Sequence, residues 1–223
     1  MRRTLTALFL FAISFGYVEA SVVVYLRAIY EPIRQHISPR PANELFPLIT
    51  PAQLADAGPE NTRRLTTELL REAAAILMLA AIALAFADTF AHWAAAFLIA
   101  FGAWDISFYL SLKLLIDWPA SLNTWDILFL IPVPWVGPVA SPVIVSLSMV
   151  VCGLIVLRRP VPLRAPHWAA IILGGLIVVT AFCLDAPNTM SGGMPQPFHW
   201  GVFLTGELLG LAGFTAAARA PRH

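Results

Sequence analysis

The chain has 223 residues, 59% of them hydrophobic and only 12% charged, with a mean hydropathy of +0.76. A water-soluble domain of this size carries roughly 25% charged residues, so the composition points to a bilayer. The formal net charge of +1 leaves no basic footprint for nucleic acid, and two cysteines in apolar runs, Cys152 and Cys183, exclude a disulfide scaffold or zinc cluster.

The N-terminal stretch MRRTLTALFLFAISFGYVEAS has the basic head, apolar body and small-residue end of a secretory signal. The apolar run resumes at once as SVVVYLRAIY. An uncleaved first span is therefore expected over about 5–28, long enough for a ~30 Å hydrocarbon core. The Pro-rich segment at about 31–65, containing SPRPANELFPLITPAQ, reads as an outer loop capping the bundle mouth. Further spans are expected over about 66–87, 90–114, 126–157, 167–184 and 199–218. Only helices or closed barrels satisfy their backbone groups in lipid, and these lengths suit helices. The expected fold is all-α: a single transmembrane domain covering 1–223, built as a six-helix bundle.

The fourth span is irregular. Pro132, Pro134, Pro138 and Pro142 each lack a backbone donor and clash with the preceding turn, so a continuous helix is not expected there. The stretch ILFLIPVPWVGPVASP reads either as a broken, partly re-entrant lead-in to a helix from about 142 or as a kinked span.

Orientation follows from the basic flanks. Arg2 and Arg3 precede the first span, Arg158, Arg159 and Arg164 follow the fourth, and Arg219 and Arg222 follow the sixth. The connection DAPNTMSGGMPQPF has no Lys or Arg. Both termini are therefore expected on the cytoplasmic side of a bacterial inner membrane, although Arg34, Arg40, Arg63 and Arg64 in the outer loop run against the rule.

Two Trp-Asp-Ile triplets, at Asp105 and Asp126, stand in this greasy frame. They are not equivalent: Asp105 is expected near the middle of the third span, whereas Asp126 lies where the chain re-enters, beside Trp125 as an interface anchor. Glu19 and Glu207 are expected at a depth similar to that of Asp105. Central acids cost about 2.5–3.5 kcal/mol each on insertion scales, so all three are expected to face a polar interior. Gly16, Gly102 and Gly210 each lie three residues from one of these acids and allow close helix approach on that face.

Glu19, Asp105 and Glu207 are accordingly the expected catalytic or ion-binding centre. They are also the expected ligand set if a divalent metal ion is bound, the one cofactor that the residue types bring into view. An outer tier of Arg71, Glu72, Asp126 and His199 is expected to form the pathway, with Tyr109 four residues after Asp105 and placed to donate to it. Arg27, Arg71 and Lys113 either join this tier or snorkel to headgroups. Cation handling, of a proton or a metal ion, is the leading reading of function. Enzymatic work on a lipid or quinone-like substrate is a second. A third is a non-catalytic subunit that binds other membrane proteins or a second copy of itself.

Overall fold

Why the first helix outruns its expected span is visible in its polar end. In the computed structural model, which describes residues 2–41 and 44–220, α1 covers Arg2–Ile37, 36 residues. Arg222, one of the expected inner-face cations, lies outside the described residues. Past the apolar run, Arg34 Nε donates to Glu31 at 2.9 Å and Gln35 Nε2 donates to the same carboxylate at 2.7 Å. These pairs, three and four residues apart, extend the helix beyond the apolar run. The expected loop at 31–65 is thereby corrected. It contains the end of α1, the short α2 (Pro51–Asp56) and the first turns of α3 (Pro59–Leu84). Thr50 and Gln53 close a reciprocal capping box at the start of α2, satisfying donors that the helix itself cannot.

α4 (Phe90–Ile116) begins where Thr89 accepts from the His92 amide at 3.2 Å. It ends at Asp117, whose φ of 53° is a left-handed stop that an Asp tolerates. The chain then leaves helical geometry for one short stretch of an otherwise mainly helical fold. Residues expected to open the fourth span form an antiparallel hairpin, β1 (Trp125–Phe129) with β2 (Trp135–Pro138), pairing Trp125 with Pro138, Asp126 with Gly137 and Ile127 with Val136. The prolines withhold the donors a helix needs, while the β-branched and aromatic residues around them suit a strand. A lone hairpin is marginal in water, but this one is packed inside the protein. Asp126, Phe129 and Val136 to Pro138 are all buried.

The regular helix that follows, α5, spans Ala140–Arg158. α6 (Ala165–Cys183) leads into a single turn, α7 (Ala186–Met190), and α8 (Trp200–Arg219) closes the chain. α4 is the hub, packing against α1, α5 and α3, whereas α6 packs chiefly on α8. Glycines set these crossings. A methyl on Gly16 would stand 2.6 Å from the Trp104 carbonyl oxygen, and one on Gly102 would stand 2.5 Å from that of Ser146. On the far side, Gly174 and Gly206 each leave only 2.6 Å between an added Cβ and the other's carbonyl. Small residues at such contacts let helices approach without a driving force from water.

Among the described residues, five helical stretches are long and apolar enough to cross a membrane: Leu5–Ile37, Phe90–Ile116, Ala140–Arg158, Ala165–Met190 and Trp200–Arg219. The protein is thus a mainly helical chain with several bilayer-compatible helices. α3, which contains the remaining expected span, is set apart by Glu68, Arg71 and Glu72 in its central turns.

Candidate functional site

Four elements converge on a chamber of about 300 Å³. α1 contributes a stripe of Glu19, Val23, Arg27, Tyr30 and Arg34, which recur at helical spacing on one face. α3 contributes Glu68, Arg71, Glu72 and Ala75, α4 contributes Trp104, Asp105, Phe108 and Tyr109, and the hairpin contributes Asp126 to Leu130. Leu45, Leu48, Ile49 and Leu54 from the segment between α1 and α3 also line it.

Arg71 is the electrostatic centre of one wall. It pairs with Glu19 across the α1–α3 contact and with Glu68 one turn earlier, where Nε donates at 2.9 Å. A guanidinium suits this role because its planar fork serves two carboxylates at once. Deeper in, three carboxyl groups are held by neutral donors instead. The Leu130 amide donates to Glu72 at 2.8 Å, the Ser146 hydroxyl donates to Asp105 at 2.8 Å, and the Tyr109 hydroxyl donates to Asp126 at 2.9 Å.

Tyr109 therefore serves a different acid from the one expected. It does follow Asp105 on the same helix face, but the hairpin brings Asp126 within reach of its hydroxyl, and Ser146 of α5 occupies Asp105. Arg27 is also not a simple headgroup contact. Its guanidinium lies over the Trp118 ring, 4.1 Å from the centroid, and its buried Nε has no acceptor among the described residues. Cation–π contact of this kind compensates a desolvated guanidinium in part.

A second cavity, about 370 Å³, lies between α4 and α5 on one side and the α6–α8 pair on the other. Its walls are apolar, and Glu207 lines it. Asp105, Leu128 and Phe129 line both cavities and so form the partition between them. This geometry separates the three expected central acids. Glu19 lines the chamber, Glu207 lines the cleft and Asp105 stands at the wall between. The three do not meet because α8 packs on α6, away from α1. Among the described residues, no three His, Cys, Asp or Glu side chains converge to hold a metal ion, so the acids expected as ligands do not form such a set.

Of the expected pathway residues, Arg71, Glu72, Asp126 and Tyr109 line the chamber. His199 does not: it is the exposed residue preceding α8 and lines neither cavity. Lys113 closes α4 by pairing with Asp117 at 2.7 Å. That pairing holds the Asp117 carboxyl below its usual range.

Sequence reasoning passed over Glu68, Ser146 and Trp118. Glu68 had a signal, since an acid three residues before Arg71 on a helix faces it. Ser146 and Trp118 had none, because their partners lie 41 and 91 residues away along the chain. The chain matches no protein-family model, no curated protein and no solved structure at a significant level.

Proposed function

We propose that the chain is a six-span membrane protein, with α3 as the remaining crossing, whose chamber takes up and releases a cation, the proton foremost, in a transport-like role. The observation that carries this reading is a charge imbalance. Arg71 and Arg34 are paired with acids, which leaves Glu72, Asp105 and Asp126, held by neutral donors alone, facing the guanidinium of Arg27, which forms no ion pair among the described residues. An apolar-walled cavity lined by an excess of acids attracts cations, and low dielectric strengthens the attraction. Buried ionisable groups in membrane helices are the usual stations of ion and proton pathways.

α3 fits the crossing in two respects. Its 26 residues span ~39 Å at 1.5 Å per residue. Leu70, Leu77 and Leu84 are 67%, 69% and 65% exposed and fall on one outward stripe, while Glu68, Arg71 and Glu72 turn toward the chamber. With six crossings both termini share one face. The cluster of Arg158, Arg159 and Arg164 supports a cytoplasmic assignment for it.

The test is proton flux into liposomes carrying a pH-sensitive dye. Asp105→Asn and Glu72→Gln are each expected to slow flux by about a hundredfold, the lower end of what a positioned proton-transfer group supplies. Flux equal to that of the wild-type chain in both variants would end this reading.

A further inference from the structure

We infer that the cleft between α4, α5 and the α6–α8 pair is a binding site for a single-chain amphiphile whose head donates a hydrogen bond to Glu207. This goes beyond the cation chamber and concerns a separate cavity. The body of such a ligand is dictated by the walls, where Leu98, Phe101, Val145, Met149 and Leu211 offer no polar partner. The volume of about 370 Å³ falls within the range of small-molecule sites. Gly175, at the edge of the cleft, is exposed, which provides an entrance from outside the bundle.

Two buried polar atoms without a partner among the described residues belong to side chains lining the cleft, Nε1 of Trp135 and Oε1 of Glu207, and the head is assigned from the acceptor of the two. Oε1 of Glu207 is buried and accepts no hydrogen bond among the described residues. A carboxyl group offers an acceptor in either protonation state, so the missing partner is a donor: a hydroxyl or an ammonium. Depth narrows the class further. Glu207 lies seven residues into α8, roughly 10 Å from its start. A bulky zwitterionic headgroup belongs at the membrane interface, whereas a small donor on one chain can reach this depth. Asp105 and Ser146 occupy each other across the partition; the Ser148 hydroxyl serves the Glu207 carboxyl but leaves its buried Oε1 without a partner among the described residues, and that oxygen is the acceptor that calls for a ligand.

The experiment uses the full chain in lipid nanodiscs. Trp135 and Trp168 line the cleft, so a brominated dodecyl chain reports occupancy by quenching tryptophan fluorescence. Dodecylamine, dodecanol and dodecanoate are then compared as competitors of equal length. Either donor-headed probe is expected to compete at least tenfold better than dodecanoate. A preference for the amine identifies an ionised Glu207, and a preference for the alcohol identifies a neutral one; both support the site. Glu207→Leu is expected to erase the difference between donor and acid probes. Gly210→Leu, where an added Cβ meets nothing nearer than the Ile171 carbonyl at 4.0 Å, is expected to remove saturable quenching by filling the wall. Equal competition by all three probes would overturn the proposal, as would non-saturable quenching or wild-type binding in both variants. The readout is binding rather than flux, so this site and the cation chamber stand or fall separately.

Discussion

The chamber and the cleft lie on either side of Asp105, Leu128 and Phe129 and bury acids in opposite ways. In the chamber every buried carboxyl has a partner: a guanidinium for Glu19, an amide for Glu72 and a hydroxyl for each of Asp105 and Asp126. In the cleft, Glu207 keeps a buried oxygen with no donor. The difference follows from packing. α1, α3, α4 and the hairpin bring polar side chains from four directions onto one space, whereas the α6–α8 contact is made largely of glycines and apolar residues, and the Ser148 hydroxyl of α5 is the donor that serves Glu207. A buried acid is thus part of a structural network on one side and an unsatisfied binding group on the other.

That contrast breaks most sharply at Arg71. Arg71→Met leaves Glu19 and Glu68 without their shared cation, and removing one partner of a buried ion pair costs about 3–5 kcal/mol. Thermal unfolding in detergent should register the loss, and Glu19→Gln in the same chain should recover part of it. An unchanged midpoint would show that the Arg71 network does not hold α1 against α3.

A smaller effect is expected at the α4–α5 crossing. Gly102→Ala places a methyl 2.5 Å from the Ser146 carbonyl. The shift this forces should cost about 1–3 kcal/mol, the usual range for overpacking. Because Ser146 also holds Asp105, proton flux should fall along with stability.

Tyr109→Phe removes the hydroxyl donor to Asp126 and leaves the Ile127 amide in place. It should cost about 1–2 kcal/mol, as for a buried acceptor losing its partner. Denaturant unfolding of the single variant beside the Tyr109→Phe, Asp126→Asn double variant measures whether the two residues are coupled.

The smallest effects are expected on the cleft side and at the surface. Glu207→Gln breaks no ion pair and keeps an oxygen that can accept from the Ser148 hydroxyl, so it should leave the unfolding midpoint unchanged, in contrast to the chamber substitutions above. Lys113→Ala should also leave it unchanged, because Asp117 is fully exposed and its pairing is screened by water. The sign there is that of a lowered carboxyl: any stability from the pair exists above the unfolded titration range of Asp117 and disappears on acidification.

Much of the frame was legible along the chain. Apolar runs of bilayer length overlap each of the five bilayer-compatible helices among the described residues, because hydrocarbon thickness translates directly into helix length, although the expected fourth span opened at 126 whereas α5 begins at Ala140. The inward placement of Glu19 and Asp105 was legible too, from the cost of exposing an acid to lipid. Where the reading failed, the cause was an interaction that hydropathy does not register, local in one place and non-local in another. Continuation of α1 to Ile37 depends on short-range pairs that hydropathy ignores. The hairpin at 125–138 satisfies its backbone by strand pairing and by the Glu72 carboxylate, neither of which is visible in a run of apolar residues.

The sequence by itself determined that this is a helical chain suited to a bilayer, and that the acids in the middle of its apolar runs must avoid lipid, since both follow from the free energy of moving residues out of water. Tertiary structure alone decided which acids share a space. Helix pairing is set by where small residues permit close approach, and that geometry joined Glu19 to Arg71, Tyr109 to Asp126 and Ser146 to Asp105, and left Glu207 on the far side of the wall.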